Sequence, residues 1–132
     1  MHEHCLIYRV PYADVDQMGV VYYANYLVYF ERGRNELLRW AGLPYLELER
    51  REAFLPVIEA HCEYLKPARY DDELQIVARA DEIAGIRLKM SCEIRRGADV
   101  LARGYTWHVT TNAKGRPVRV PEELQKLFRA PA

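Results

Sequence analysis

Ten residues, 86 to 95, alternate apolar and polar without a break. Ile86, Leu88, Met90, Cys92 and Ile94 fall on one side, and Arg87, Lys89, Ser91, Glu93 and Arg95 on the other. Successive side chains of a strand point to opposite faces, so this run reads as a β-strand with one buried face. It has company. Ile58, Ala60, Cys62 and Tyr64 alternate with Glu59, His61 and Glu63, and Leu74, Ile76, Ala78 and Ala80 alternate with Gln75, Val77, Arg79 and Asp81. Leu101, Tyr105, Trp107 and Val109 take one face of a last strand, with Arg103 interrupting them. Pro67, Asp71-Asp72, Gly85 and Arg96-Gly97 separate these runs with turn chemistry. Strands joined by short turns pair antiparallel.

Upstream the period changes. Tyr26, Phe30, Gly33, Leu37 and Trp40 recur at spacings of 4, 3, 4 and 3, which is one face of a helix from about Tyr23 to Ala41. Arg32, Arg34, Glu36 and Arg39 mostly lie elsewhere around it, and Gly42 with Pro44 stops it. Gly33 inside a helix costs about 1 kcal/mol against alanine; close approach of the helix to its neighbour is the expected compensation. Residues 5–11 make a short first strand ending at Pro11, and Pro121 to Arg129 a short terminal helix with Pro at its start. The expected order is strand, long helix, four strands, short helix: an α+β chain of 132 residues in one domain, 1–132. A single helix covers one face of a five-stranded sheet, so a remaining edge or face needs a partner and an oligomer is expected.

Charge narrows the partners. Lys plus Arg (19) equals Asp plus Glu (19), whereas nucleic-acid binding usually needs a basic excess. Cys5, Cys62 and Cys92 are far apart, with no C-x-x-C pair. Cys62 and Cys92 read as small buried hydrophobes, in keeping with a reducing compartment. No run approaches the ~18 apolar residues of a membrane span, so the expected location is the cytoplasm, with no membrane partner.

The stretch that carries chemistry is Tyr12-Ala13-Asp14-Val15-Asp16-Gln17-Met18-Gly19-Val20-Val21-Tyr22-Tyr23-Ala24-Asn25-Tyr26. It is a carboxylate loop running into a helix N-terminus. Unpaired N–H groups at such an end can hold a developing oxyanion, and an acid just upstream can act as base or nucleophile. The same pattern also describes a cap or an Asx turn. Asp14 reads as a loop organiser and Glu31 as a helix-surface partner of Arg34. His61 and His108 lie in strands, His2 and His4 in a fraying terminus; no metal site is expected.

This segment resembles the signature of the 4-hydroxybenzoyl-CoA thioesterase family and the related YbgC-type acyl-CoA thioesterases. The match runs from Asp16 through Gly19, Val20-Val21, Tyr22-Tyr23, Asn25-Tyr26 and Phe30-Glu31 to Arg34. Lys66-Pro67-Ala68-Arg69-Tyr70-Asp71-Asp72, Gly115-Arg116-Pro117 and Val120-Pro121 extend the resemblance over nearly the whole chain. One departure stands out: the YbgC-type members carry His where this chain has Tyr23, as the 4-hydroxybenzoyl type does. The resemblance implies a hotdog fold, a long central helix wrapped by a curved five-stranded antiparallel sheet, in dimers that often pair again. It implies Asp16 as the catalytic carboxylate, the Tyr23 backbone N–H as the group polarising the thioester carbonyl, and Gly19 as the turn between them. Tyr22, Asn25 and Tyr26 would shape the helix start and the substrate's approach. The implied reaction is hydrolysis of an acyl-CoA to free acid and coenzyme A, with coenzyme A part of the substrate and no cofactor needed. Arg69, Arg87, Lys89, Arg103 and Arg116 could meet its phosphates or be plain surface charges. The alternatives are an acyl-carrier-protein thioesterase and a non-catalytic acyl-CoA-binding protein; a hotdog dehydratase pairs its Asp with a His that is missing here.

Overall fold

The computed structural model describes residues 2–129. Five strands, β1 (Glu3–Arg9), β2 (Val57–Tyr64), β3 (Glu73–Ala84), β4 (Arg87–Arg96) and β5 (Asp99–Val109), form an antiparallel sheet in the order β1-β3-β4-β5-β2. The helix α1 (Asn25–Trp40) lies across its inner face; α2 (Tyr45–Arg50) and α3 (Glu122–Arg129) are short. The expected α+β arrangement is present.

The helical stripe explains the packing. Tyr26, Tyr29, Phe30, Gly33, Leu37 and Leu38 are buried on α1, and meet Leu74, Ile76 and Ala78 of β3 and Leu88, Met90 and Ile94 of β4 in one core. A Cβ on Gly33 would stand 2.7 Å from Ile76 Cγ2, so the close approach expected at this glycine is real. The exception on the stripe is Trp40, half exposed, whose ring meets His4 at 6.0 Å.

Several local readings shift. The first strand begins at Glu3, because the register Glu3 to Arg79 through Arg9 to Glu73 draws the N-terminal residues into the sheet, so His4 is a strand residue. The helix starts two residues later than expected, at Asn25. Gly42, at φ +83°, ends α1, and a short helix, α2, follows with Pro44 at its N-cap. On β5 the inner face is the opposite of the one expected. Ala102, Thr106 and His108 are buried, while Tyr105 and Trp107 lie on the outer face beneath Lys89 and Arg87. Arg103 is therefore in step with the aromatic residues. Bulk hydrophobicity pointed the wrong way because large rings with cations over them are at home on a wet face. Gly104 has its own constraint: a Cβ there would fall 1.9 Å from the His61 carbonyl oxygen of β2.

β2 is one of the two edge strands, β1 being the other. β2 pairs with β5 alone, and its alternation is correct in parity but not covered: Cys62 is half-buried where burial was expected, and Ile58 and Tyr64 are nearly half exposed.

Candidate active site

Residues 14–22 fold into a tight antiparallel turn. Val15 bridges Val21; the Asp16 N–H donates to Val20 O at 2.9 Å, and Tyr22 N–H to Asp14 O at 2.9 Å. Gly19 N–H closes the tip on Asp16 O at 3.0 Å, with φ at +79°, a conformation glycine adopts freely. Asp16 Oδ1 accepts the N–H of Met18 at 2.8 Å and of Val20 at 3.4 Å. The Asx turn is thus present, but it occupies one oxygen. No hydrogen bond or ion pair among the described residues uses Asp16 Oδ2.

Asp14 is spent differently. Its Oδ2 accepts the Tyr29 hydroxyl at 2.8 Å, and its carbonyl accepts Asn25 Nδ2 at 3.0 Å. Tyr29 is fully buried, and burial, reinforced by the bond to Asp14, raises its phenol far above the usual range. Asp14 therefore organises the loop, as expected, and Asn25 ties it to the first turn of α1.

The helix start is open. Ala24 stands at the N-cap with φ −66° and no side-chain cap. Tyr22 O accepts Asn25 N–H at 2.8 Å and Tyr23 O accepts Tyr26 N–H at 3.3 Å, so both carbonyls point along the helix. The N–H groups of Tyr23 and Ala24 find no acceptor among the described residues and leave a positive electrostatic site. Tyr26 is buried and its hydroxyl accepts Ala68 N–H at 3.0 Å; Ala68 O in turn accepts Val21 N–H at 2.8 Å. Tyr64, at the end of β2, donates its hydroxyl to Tyr23 O at 2.9 Å. An open cleft of about 300 Å³ here is lined by Val21, Tyr23, Tyr26, Tyr64, Leu65 and Pro67, among others. Tyr22 is exposed, with its ring 4.7 Å from that of Tyr23.

Other candidates disperse. No ion pair joins Glu31 to Arg34 among the described residues, contrary to expectation: Arg34 is buried and donates to Thr106 Oγ1 at 3.3 Å, while Glu31 stays exposed. The reason is that Arg34 lies on the flank of α1 turned toward β5. His108 is fully buried, with Nδ1 on Leu55 O at 2.9 Å and Nε2 on Thr106 Oγ1 at 2.8 Å. Burial pushes it down to about 4, so it is neutral: Nδ1–H donates to Leu55 O, and Thr106 donates to Nε2. Arg103 pairs with Glu63, and Lys89 with Asp81. They flank a depression of about 410 Å³ on the outer face of the sheet, away from the Asp16 turn. Of the five cations considered for phosphates, Arg69 sits beside that turn, bridging Val20 through the backbone. Sequence reasoning missed Tyr64 and Ala24. The inward parity of Tyr64 on β2 was the available signal, but nothing local shows where its hydroxyl reaches.

The model of the thioesterase-like superfamily matches residues 10–128. The acyl-CoA thioesterase YbgC of Haemophilus influenzae is 30% identical over 122 residues, covering 91% of this chain and 90% of its own. Among solved structures, hypothetical protein TT1821 of Thermus thermophilus is 34% identical with TM-score 0.89, covering 96% of this chain and 95% of its own. A 1,4-dihydroxy-2-naphthoyl-CoA thioesterase of Synechocystis, 23% identical with TM-score 0.88 over 96% of each chain, shares the fold. With its long helix held in a curved five-stranded antiparallel sheet, this chain belongs to the thioesterase-like superfamily and is a hotdog-fold thioester hydrolase.

Proposed function

We propose that this hydrolase cleaves acyl-CoA thioesters, with Asp16 as the reacting carboxylate and the Tyr23 N–H as a donor to the thioester carbonyl. One observation carries the reading: an unspent carboxylate oxygen and unspent helix-start N–H groups belong to one short, rigidly bonded segment. The name of the Haemophilus influenzae relative supports coenzyme A as the carrier, which then enters as part of the substrate, with no separate cofactor.

With the carbonyl oxygen against Tyr23 N–H, negative charge developing there is stabilised in place. Asp16 Oδ2 either attacks the carbonyl carbon, giving a mixed anhydride that water opens, or takes a proton from an attacking water. In both routes the C–S bond breaks, the acyl group leaves as a carboxylate, and the coenzyme A sulfur takes up a proton. Gly19 keeps the turn short enough to hold Asp16 before the helix.

The reading includes a dimer through β2. One flank of that strand is unpaired; Val57, Ile58 and Tyr64 on it and Leu65 just after it are exposed, as are Leu27 and Val28 of α1. The cleft of about 300 Å³ is at the low end of ~300–1,000 Å³ for ligand sites. A second copy laid along β2 would continue the sheet and wall the cleft; dimers pairing again would give a tetramer.

The test is release of free thiol from short, long and aryl acyl-CoAs, with the same acyl groups presented on acyl-carrier protein. Hydrolysis of at least one acyl-CoA is expected. Hydrolysis restricted to the carrier protein would move the assignment to that carrier, and tight acyl-CoA binding with no thiol release would contradict an enzyme of this class.

A further inference from the structure

The Tyr23–Ala24 peptide is held at its carbonyl by two donors. Its carbonyl accepts Tyr26 N–H at 3.3 Å and the Tyr64 hydroxyl at 2.9 Å. The Tyr64 ring is itself set edge-on to Tyr26, centroids 5.1 Å apart at 87°, and Tyr26 is fixed through Ala68. Partial burial pushes the Tyr64 phenol up to about 12, so it remains a proton donor throughout the neutral range. In a trans peptide the N–H points opposite the C=O. Pinning Tyr23 O therefore also pins Ala24 N–H, which faces back off the helix start beside Tyr23 N–H, and neither is spent. A bond donated to a peptide carbonyl also polarises that peptide, strengthening its N–H as a donor.

We propose that Tyr64 is a positioning residue for the thioester hydrolysis, fixing and polarising the Tyr23–Ala24 peptide so that Ala24 N–H joins Tyr23 N–H as a second donor to the substrate carbonyl oxygen. This rests on the reading of the site given above. It assigns to the strand that edges the sheet a part in the electrostatics of the helix start.

Two variants test it. Tyr64→Phe keeps the ring against Tyr26 and removes the hydroxyl; replacing Ala24 by L-lactic acid, an amide-to-ester exchange, keeps the methyl side chain and the trans backbone and removes the N–H. For Tyr64→Phe, kcat falls about 10-fold with KM within about 2-fold; for the ester at Ala24, kcat falls about 100-fold, the lower end of what deleting one oxyanion donor costs. The readout that a merely structural role would not move is the infrared carbonyl stretch of a ¹³C-labelled thioester bound to the slow Asp16→Asn protein. Adding Tyr64→Phe shifts that band back toward its value in water. Native kcat in Tyr64→Phe, an unmoved band, or a loss expressed in KM or in melting temperature alone overturns the proposal. Undiminished hydrolysis by Asp16→Asn, with Tyr64→Phe still slow, overturns the role of Asp16 and leaves that of Tyr64. Absence of hydrolysis by the native protein overturns both.

Discussion

Asp14 and Asp16 lie two positions apart in one turn. Asp14 points its carboxylate at the buried Tyr29 hydroxyl, while Asp16 keeps one oxygen uncommitted. Sequence spacing marked both as loop carboxylates ahead of a helix, and the resemblance singled out Asp16. Which oxygens are bonded depends on a tyrosine one helical turn into α1, which no local pattern reveals. Tyr29→Phe leaves Asp14 without its donor and lowers stability by about 1–3 kcal/mol in urea unfolding. His108 gives a second residue-level effect. Burial holds it at about 4 instead of 6.5, so between these values the unfolded chain binds more protons than the folded one. Its contribution is fully present above pH 6.5 and is lost as pH falls toward 4, by about 3 kcal/mol. Urea midpoints measured across that window fall for the native chain, and His108→Gln flattens this part of the slope.

At the scale of elements, the alternation of β3 and β4 and the stripe of α1 were legible because the core covers both faces of contact. β5 was not: Tyr105 and Trp107 drew the inner face to the wrong side, since its true inner residues, Ala102, Gly104, Thr106 and His108, are small or polar. α2 is six residues long, too short for a periodic signal. Gly33 and Gly104 are the glycines at which an added Cβ would meet a neighbouring element. Gly33→Ala gains about 1 kcal/mol of helix propensity but must displace buried Ile76, an overpacking cost of about 1–3 kcal/mol; the measured melting temperature falls. At Gly104 the obstacle is the His61 backbone, which no rotamer can clear. Gly104→Ala therefore lowers the melting temperature further than Gly33→Ala does.

For the whole molecule, the order of elements was readable from the change of period along the chain, and one helix against five strands is what raises the expectation of a partner, because that mismatch is a matter of area. The edge proposed for that partner was not readable; the proposal rests on the exposed apolar side chains that β2 carries. Sedimentation velocity is expected to show a dimer or a pair of dimers, and Ile58→Lys, which puts a charge on that strip, shifts the population toward monomer and lowers activity with it. Whether Asp16 reacts is decided by thiol release from the best acyl-CoA by the native protein, Asp16→Asn and Asp14→Asn at matched folded concentration. A loss of about 100-fold or more in Asp16→Asn, with Asp14→Asn affected mainly in stability, is the expected result; equal rates in the native protein and Asp16→Asn would contradict it.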